Sequence, residues 1–430
     1  MKPRNTLPIN KVVYVAIYAL IGIFVLIKGP VYFPDSFAFL SMDFNRSPFY
    51  CSFLKVMTST FGNFYTIPVM LIQYGGLVYG SDYLIRTLHK IFKINVFGLT
   101  IIQFILLAPC VYLHFVSSTI LSEGIAYPLC LIIVAQMIKM LVNSDLNFIY
   151  KIAPLLLLLI LTRGQFMAFV PILCFVSLYI VFKQKMSLKK ASVILLVLAI
   201  LFLSSTAEKL YNKVVFGYAV NNAMNYVHLI SASFYIADAS DIDLFANQEE
   251  RAYFSLVHNS LLEAKLTRTQ VKSMANDEYD VFMKNFSKIC NARVHEIGLH
   301  IFKQKGLDIY EQNIALNKMC SKMIFPLLAK NFNKWLVFYY KGLKTTFGSS
   351  KEMLLFIMLL VYGVVFTFKT SKPLYRFMVL ITLLMFAHNA LIALAAHAIR
   401  RYVFYFDWVV FAIVVLLLNE ILKQKRLNES

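Results

Sequence analysis

The sequence predicts an all-α polytopic membrane protein of about ten transmembrane helices, with amphipathic helices in its first external loop and a mostly helical external domain. Three observations predict it. Of 430 residues, 59% are hydrophobic and only 15% are charged, against roughly 25% charged in a soluble domain. Apolar stretches of about 20 residues recur, enough to cross a bilayer as helices. Short basic segments, "MKPRNTLPINK", "RTLHKIFK", "KQKMSLKK", "KTSKPLYR" and "KQKR", sit at alternate ends of those stretches. That alternation is what the cytosolic bias of Lys and Arg produces. It also argues against nucleic acid as the partner of the +20 formal charge.

The elements follow in order. Span 1, about 12–29, has a basic front but no small-residue cleavage site, so it reads as a retained anchor. It starts in the cytosol and leaves "FPDSFAFLSMDFNRSPFYCSF" outside. In that stretch Phe37, Leu40 and Phe44 share one helical face, as do Phe49, Phe53 and Val56. Two short helices broken at "RSP" are expected to lie in the membrane interface on those faces. Span 2 (about 65–85) returns, span 3 (95–116) goes out and span 4 (123–142) comes back. The outer 3/4 turn is only "SSTILSE".

"KIAPLLLLLILTRGQFMAFVPILCFVSLYIVFKQK" carries lysines at both ends, so its interior goes out and returns. The first leg, Ile152 to Thr162, gives roughly 16 Å of helix, too short for a ~30 Å core. Arg163 then sits at a turn on or below the outer surface. Span 7, about 191–206, goes out. Residues 207–350 form a polar external domain with nearly balanced charge. Near its end "MIFPLLAKNFNKWLVFYYKGL" reads as an amphipathic helix on the membrane. Spans 8, 9 and 10 follow at about 353–369, 376–397 and 403–422, and both termini end inside. Three parts result: 1–206, an N-terminal transmembrane module with the first external loop; 207–350, the extracytoplasmic domain; 351–430, the C-terminal transmembrane helices. Short cytosolic segments then hold 17 Lys and Arg, against Lys28, Arg46, Lys55, Arg163, Arg400 and Arg401 in short outer ones.

Cys110, Cys130 and Cys174 lie within spans as packing residues. Cys290 and Cys320 share the polar domain and leave a disulfide open. "HEIGLH" is not HExxH, and its spacing puts His295 and His300 on different helix faces, against a metal site.

Chemistry gathers at the predicted outer face. Asp35 and Asp43 come from the first loop, Glu123 from the 3/4 turn, Arg163 from the short pair, and Arg400 and Arg401 from "AAHAIRRYVFYFDW". Charges at membrane depth usually face a cavity or a partner. Arginines hold phosphate bidentately, and a carboxylate takes the proton from an acceptor hydroxyl. A second carboxylate, Glu123, helps to hold a divalent metal or to orient the acceptor. Arg46, His114 and Tyr402 are further candidate contacts. Plainer readings stand beside these. Asp35 caps a helix starting at Ser36, and Asp43 and Glu123 are solvated turn residues. Arg163 snorkels, and Arg400 and Arg401 anchor the interface with Tyr402, Tyr405 and Trp408. His388 and Asn389 make interhelical hydrogen bonds.

"PDSFAFLSM...NRSPFY" directly after span 1 resembles the first external loop of the GT-C glycosyltransferase superfamily, whose bacterial members include relatives of protein O-mannosyltransferases and lipid A aminoarabinose transferases. "LSEGIAYPL" resembles their 3/4 turn, "LTRGQFMAFVPIL" their arginine-containing short-helix pair, and "RRYVFY" the start of a late span. The four occur in family order over the membrane half of the chain. The resemblance implies a sugar transferred from a polyprenyl-phosphate donor to an extracytoplasmic glycan or lipid acceptor, such as O-antigen or lipopolysaccharide. It places the chain in a bacterial inner membrane with its site on the periplasmic side. It makes Asp35 the base, and gives the donor phosphate to Arg163 and to Arg400 or Arg401. Several family members have an acidic pair where this chain has Asp-Ser, so a divalent cation stays open. The rival readings are a lipid flippase, a polymerase or ligase of lipid-linked glycans, and a non-catalytic receptor. No internal repeat of the transporter kind is visible.

Overall fold

The structure is a computed structural model that describes residues 8–112, 115–187, 192–274, 277–395 and 398–428. Among these the chain is helical throughout, and one isolated parallel bridge, Val31 to Thr119, is its only β pairing. Among the described residues six stretches are long and apolar enough to cross a membrane: Glu123–Asn143, Gly164–Gln184, Ile194–Phe216, Ser350–Lys369, Pro373–Leu394 and Arg400–Lys425. The chain is a helical membrane protein. It forms two compact units, one of residues 1–205, 355–388 and 404–430, the other of 206–354 and 389–403. Of the C-terminal stretch, residues 355–388 and 404–430 fall in the first unit, and residues 351–354 and 389–403 in the second.

The first unit opens with α1 (Pro8–Lys28), α2 (Pro34–Leu40), α3 (Pro48–Phe61) and α4 (Thr66–Phe92). It continues with α5 (Val96–Val111), α6 (Glu123–Asn143), α7 (Ile149–Thr162) and α8 (Phe169–Gln184). Local signals set several ends. Asn95 accepts from the Gly98 N–H at 2.8 Å and starts α5. Lys93, Ser144 and Lys185 turn left-handed, at φ 50°, 52° and 49°, and stop α4, α6 and α8. α4 runs past the expected end at 85 because Leu84, Ile85, Leu88 and Phe92 are buried on one face. α7 is longer than the expected leg but, at 14 residues, still only about 21 Å. α4 packs along α6. Gly80 permits the approach, since a Cβ there would sit 2.8 Å from the Pro128 carbonyl oxygen.

The first loop corrects one expectation. α2 and α3 form and break at the "RSP" turn, but their inward faces differ from the expected membrane faces. Phe39, Phe44, Tyr50, Cys51 and Leu54 are buried, whereas Phe37 and Val56 are exposed. Phe44 thus packs inside rather than on a lipid face.

α9 (Ile194–Phe216) continues past the expected end at 206. The second unit then holds α10 (Asn225–Ile236), α11 (Gln248–Glu263), α12 (Arg268–Met274), α13 (Glu278–Lys284) and α14 (Phe286–Ile289). A π-helical turn, Cys290–His295, leads to α15 (Glu296–Lys303), α16 (Ile309–Lys330) and α17 (Phe332–Thr346). Its core is aromatic, built on Phe234, Tyr235, Tyr253, Phe282 and Phe338. The amphipathic stretch expected as one helix is two. Asn331 breaks it and donates from Nδ2 to Asp241 Oδ2 at 2.7 Å. Cys290 and Cys320 are free and buried, not disulfide-bonded, and burial pushes both thiols up to about 12. His295 pairs with Asn313 Oδ1 at 2.8 Å. No group of three His, Cys, Asp or Glu residues able to hold a metal occurs among the described residues. The chain closes with α18 (Ser350–Lys369), α19 (Pro373–Ala395), α20 (Arg400–Val403) and α21 (Trp408–Asn428).

One buried carboxylate ties the second unit together. Arg268 reaches Glu278 through Nε at 3.0 Å and Nη2 at 3.1 Å, and Lys341 adds a third bond at 3.1 Å. Burial pushes the Glu278 carboxyl up, but the bonds from Arg268 and Lys341 outweigh it and leave the group below its usual value. A depressed carboxyl contributes stability that is complete above its unfolded value and is lost as pH falls through the folded one. Melting temperature should therefore fall between about pH 5 and pH 3, and Glu278→Gln should flatten that fall while lowering stability at neutral pH. An unchanged acid slope in the variant would contradict this role.

Candidate active site

Polar anchoring begins in α4. Gln73 is fully buried. Its Nε2 donates to the Ser117 and Thr119 carbonyls at 3.0 and 2.9 Å, and its Oε1 accepts from the Tyr50 hydroxyl at 3.0 Å. The 117–119 segment in turn pairs with the first loop: Val31 N–H donates to Ser118 O at 2.9 Å, and Ile120 N–H donates to Val31 O at 3.0 Å. α3, α4, the start of the first loop and the turn before Glu123 are thereby fixed to one another. Burial pushes the Tyr50 phenol well above its usual value, and the Glu123 charge adds to the shift. Tyr50 stays a neutral donor.

Two carboxylate–guanidinium pairs stand in this frame. Glu123, the first residue of α6, meets Arg163 Nη1 at 2.7 Å, with side chains only 4% and 12% exposed. Arg163 is extended at φ −151° between α7 and the 3-10 turn Gly164–Ala168. That break turns its side chain off the helix line. Nη1 also donates to Ser122 Oγ at 3.3 Å and Nη2 to Gln165 Oε1 at 3.3 Å. A guanidinium has donors only, so the Gln165 oxygen faces Arg163 and its amide N–H faces His388. Gln165 Nε2 lies 2.9 Å from His388 Nε2, which makes that ring nitrogen an acceptor with the proton on Nδ1. His388 is fully buried, tilted against Phe166 and edge-on to Tyr405 and Phe406.

The second pair is open. Asp35 Oδ1 meets Arg46 Nη2 at 3.0 Å, with side chains 28% and 32% exposed. The Arg46 guanidinium also lies 5.3 Å from the Phe39 ring centre. Asp35 is not the cap that the plainer reading made it. α2 begins at Pro34, and its cap position belongs to Phe33, whose N–H donates to Ser36 Oγ at 2.9 Å. Asp35 lies in the first turn, where its charge complements the helix dipole. Asp43 accepts from the Asn45 N–H at 2.9 Å and shapes the return toward Arg46.

The structure thus brings Asp35 to Arg46 and Glu123 to Arg163, and ties both neighbourhoods through Val31 and Gln73. Arg400, Arg401 and Tyr402 belong to the second unit. There Arg400 is exposed, and Arg401 Nη2 donates to the Tyr402 hydroxyl at 3.1 Å. Asn389 is buried in the same unit. His114 lies outside the described residues. His388 makes the expected interhelical hydrogen bond. Gln73, Tyr50, Ser122 and Gln165 escaped sequence reasoning. An amide inside "VMLIQYGG" was the available signal for Gln73. Comparison with protein-family profiles, curated proteins and solved structures finds no match to this chain.

The sealed pair supplies a direct test. Arg163→Met strands a buried carboxylate and should cost about 3–5 kcal/mol. Adding Glu123→Gln should recover part of that loss, because a neutral amide replaces the stranded charge. Thermal melting in detergent measures both, and a double variant less stable than Arg163→Met would contradict the pairing.

Proposed function

We propose that this chain is a membrane glycosyltransferase that moves one sugar from a polyprenyl-phosphate donor to a glycan or lipid acceptor on the extracytoplasmic face. The observation that carries this reading is the contrast between the two pairs. Glu123–Arg163 is sealed and suited to holding the turn. Asp35–Arg46 is solvent-accessible, sits on a short helix, and has the exposed aromatics Tyr32, Phe37 and Phe64 in the same segment of the chain. Exposed aromatics on interfacial helices favour headgroup depth, which is where a lipid phosphate lies.

In the proposed reaction the acceptor oxygen attacks the anomeric carbon and its proton passes to Asp35. The bond from that carbon to the phosphate oxygen breaks, and polyprenyl phosphate leaves with the electron pair. Arg46 neutralises the phosphate charge as it grows. Arg163 instead positions Glu123 and the turn. The proposed topology has ten spans, both termini cytosolic, and residues 207–350 external.

Two measurements check this reading. Asp35→Asn should keep its folding stability, followed by thermal melting, within about 1 kcal/mol, since a part-exposed pair contributes little. It should lose transfer by about 10² to 10⁴-fold, the worth of a general base. The readout is release of free polyprenyl phosphate from a panel of polyprenyl-phosphate hexoses and aminohexoses by purified protein, and near-normal turnover would remove Asp35 as the base. For topology, Ser273→Cys should react with an impermeant thiol reagent added outside intact cells. Labelling only after the membrane is opened would invert the scheme.

A further inference from the structure

A second cluster of cations stands where α18 ends, α19 begins and α21 ends. These are termini of three stretches long and apolar enough to cross a membrane, so the cluster belongs to a membrane surface. Lys372 and Lys423 meet there at Glu420, and Lys369 and Arg376 flank Lys372 in the chain, at the end of α18 and in the first turn of α19. Glu420 is shared: Lys372 Nζ is 3.3 Å from one oxygen and Lys423 Nζ 3.9 Å from the other. Lys423 also donates to the Phe92 carbonyl at the end of α4 at 2.6 Å, as does Asn419 at 3.2 Å.

Arg376 is different. It makes no hydrogen bond or ion pair among the described residues, and its Nε is buried without an acceptor. Its neighbours hold it in place on both sides. Phe377 packs edge-on against Phe92 of α4 at 5.6 Å, and Tyr375 stacks on Phe366 of α18 at 5.0 Å. A guanidinium on a backbone held by two packed neighbours, with a buried donor and no carboxylate partner among the described residues, is costly unless an anion completes it.

We infer that Arg376, with Lys372 and Lys369, binds the phosphate of an anionic phospholipid headgroup. The fork of the guanidinium matches two phosphate oxygens, and the lysines add charge without geometry. A lipid is the source that the location favours, because basic sites between membrane helices at the surface bind anionic headgroups. This site is independent of the Asp35 region.

The test uses purified full-length protein in a neutral detergent, titrated with phosphatidylglycerol or phosphatidylcholine and followed by thermal melting, with native mass spectrometry counting retained lipid. Phosphatidylglycerol should raise the melting temperature and remain bound, while phosphatidylcholine should not. Arg376→Gln should weaken the half-saturating lipid fraction about tenfold, and Arg376→Lys by an intermediate amount, because an ammonium lacks the fork. If Arg376→Gln fails to fold, the Arg376→Lys comparison decides. Equal stabilisation by both lipids, or an undiminished phosphatidylglycerol effect in the variants, would overturn the site. A matching shift from soluble glycerol phosphate or inorganic phosphate would assign it to free phosphate and overturn the lipid reading.

Discussion

The carboxamide of Gln73 holds α3, α4 and the turn before α6 in register. Apolar helices fit one another through shape alone, and shape tolerates sliding. Three bonds from one buried amide do not. They fix α4 to Tyr50 of α3 and to the carbonyls of Ser117 and Thr119, and the same segment carries the Val31 pairing. Gly124 completes the fit, because a Cβ there would lie 2.3 Å from the Gln73 side chain. In a low-dielectric surrounding each of these bonds is strong and each unmade partner is expensive. The position of Asp35 follows from α2 hanging on this anchored strand of chain.

From that frame a polar relay runs inward. Glu123, Arg163, Gln165 and His388 form one chain of contacts in which each member sets the orientation of the next. The arginine is donor-only, so the amide cannot flip, and the imidazole keeps one tautomer. Such a relay is rigid, which suits it to holding the α6 turn. The open Asp35–Arg46 pair, by contrast, is accessible to solvent. Burial decides the division of labour between two pairs of identical chemistry.

The second unit follows another logic. Its core is a lattice of aromatic rings, with Phe338 in contact with Tyr235, Tyr279 and Phe282 at 5.0–5.4 Å. Edge-to-face rings fill space between short helices of varied direction better than aliphatic chains do. Glu278 then pins Arg268 and Lys341 across that lattice.

Much of the architecture was legible from the sequence because hydropathy and helix ends are local properties. Apolar runs marked α1, α6, α18 and α19 to within a few residues, and the short leg before Arg163 marked α7. The free state of Cys290 and Cys320, the break at Asn331 and the inward turn of Phe44 were not legible. Each depends on what lies opposite in space. Asp35 and Arg163 were singled out by residue type and place in the chain. Their partners, Arg46 and Glu123, were decided by the tertiary structure alone. By itself the sequence determined that this is a helical membrane protein, because transfer of apolar side chains out of water is additive along the chain. Which charge meets which, and which pair stays open to solvent, only the packed structure decided, because pairing energy depends on distance and burial, and neither is a property of one residue.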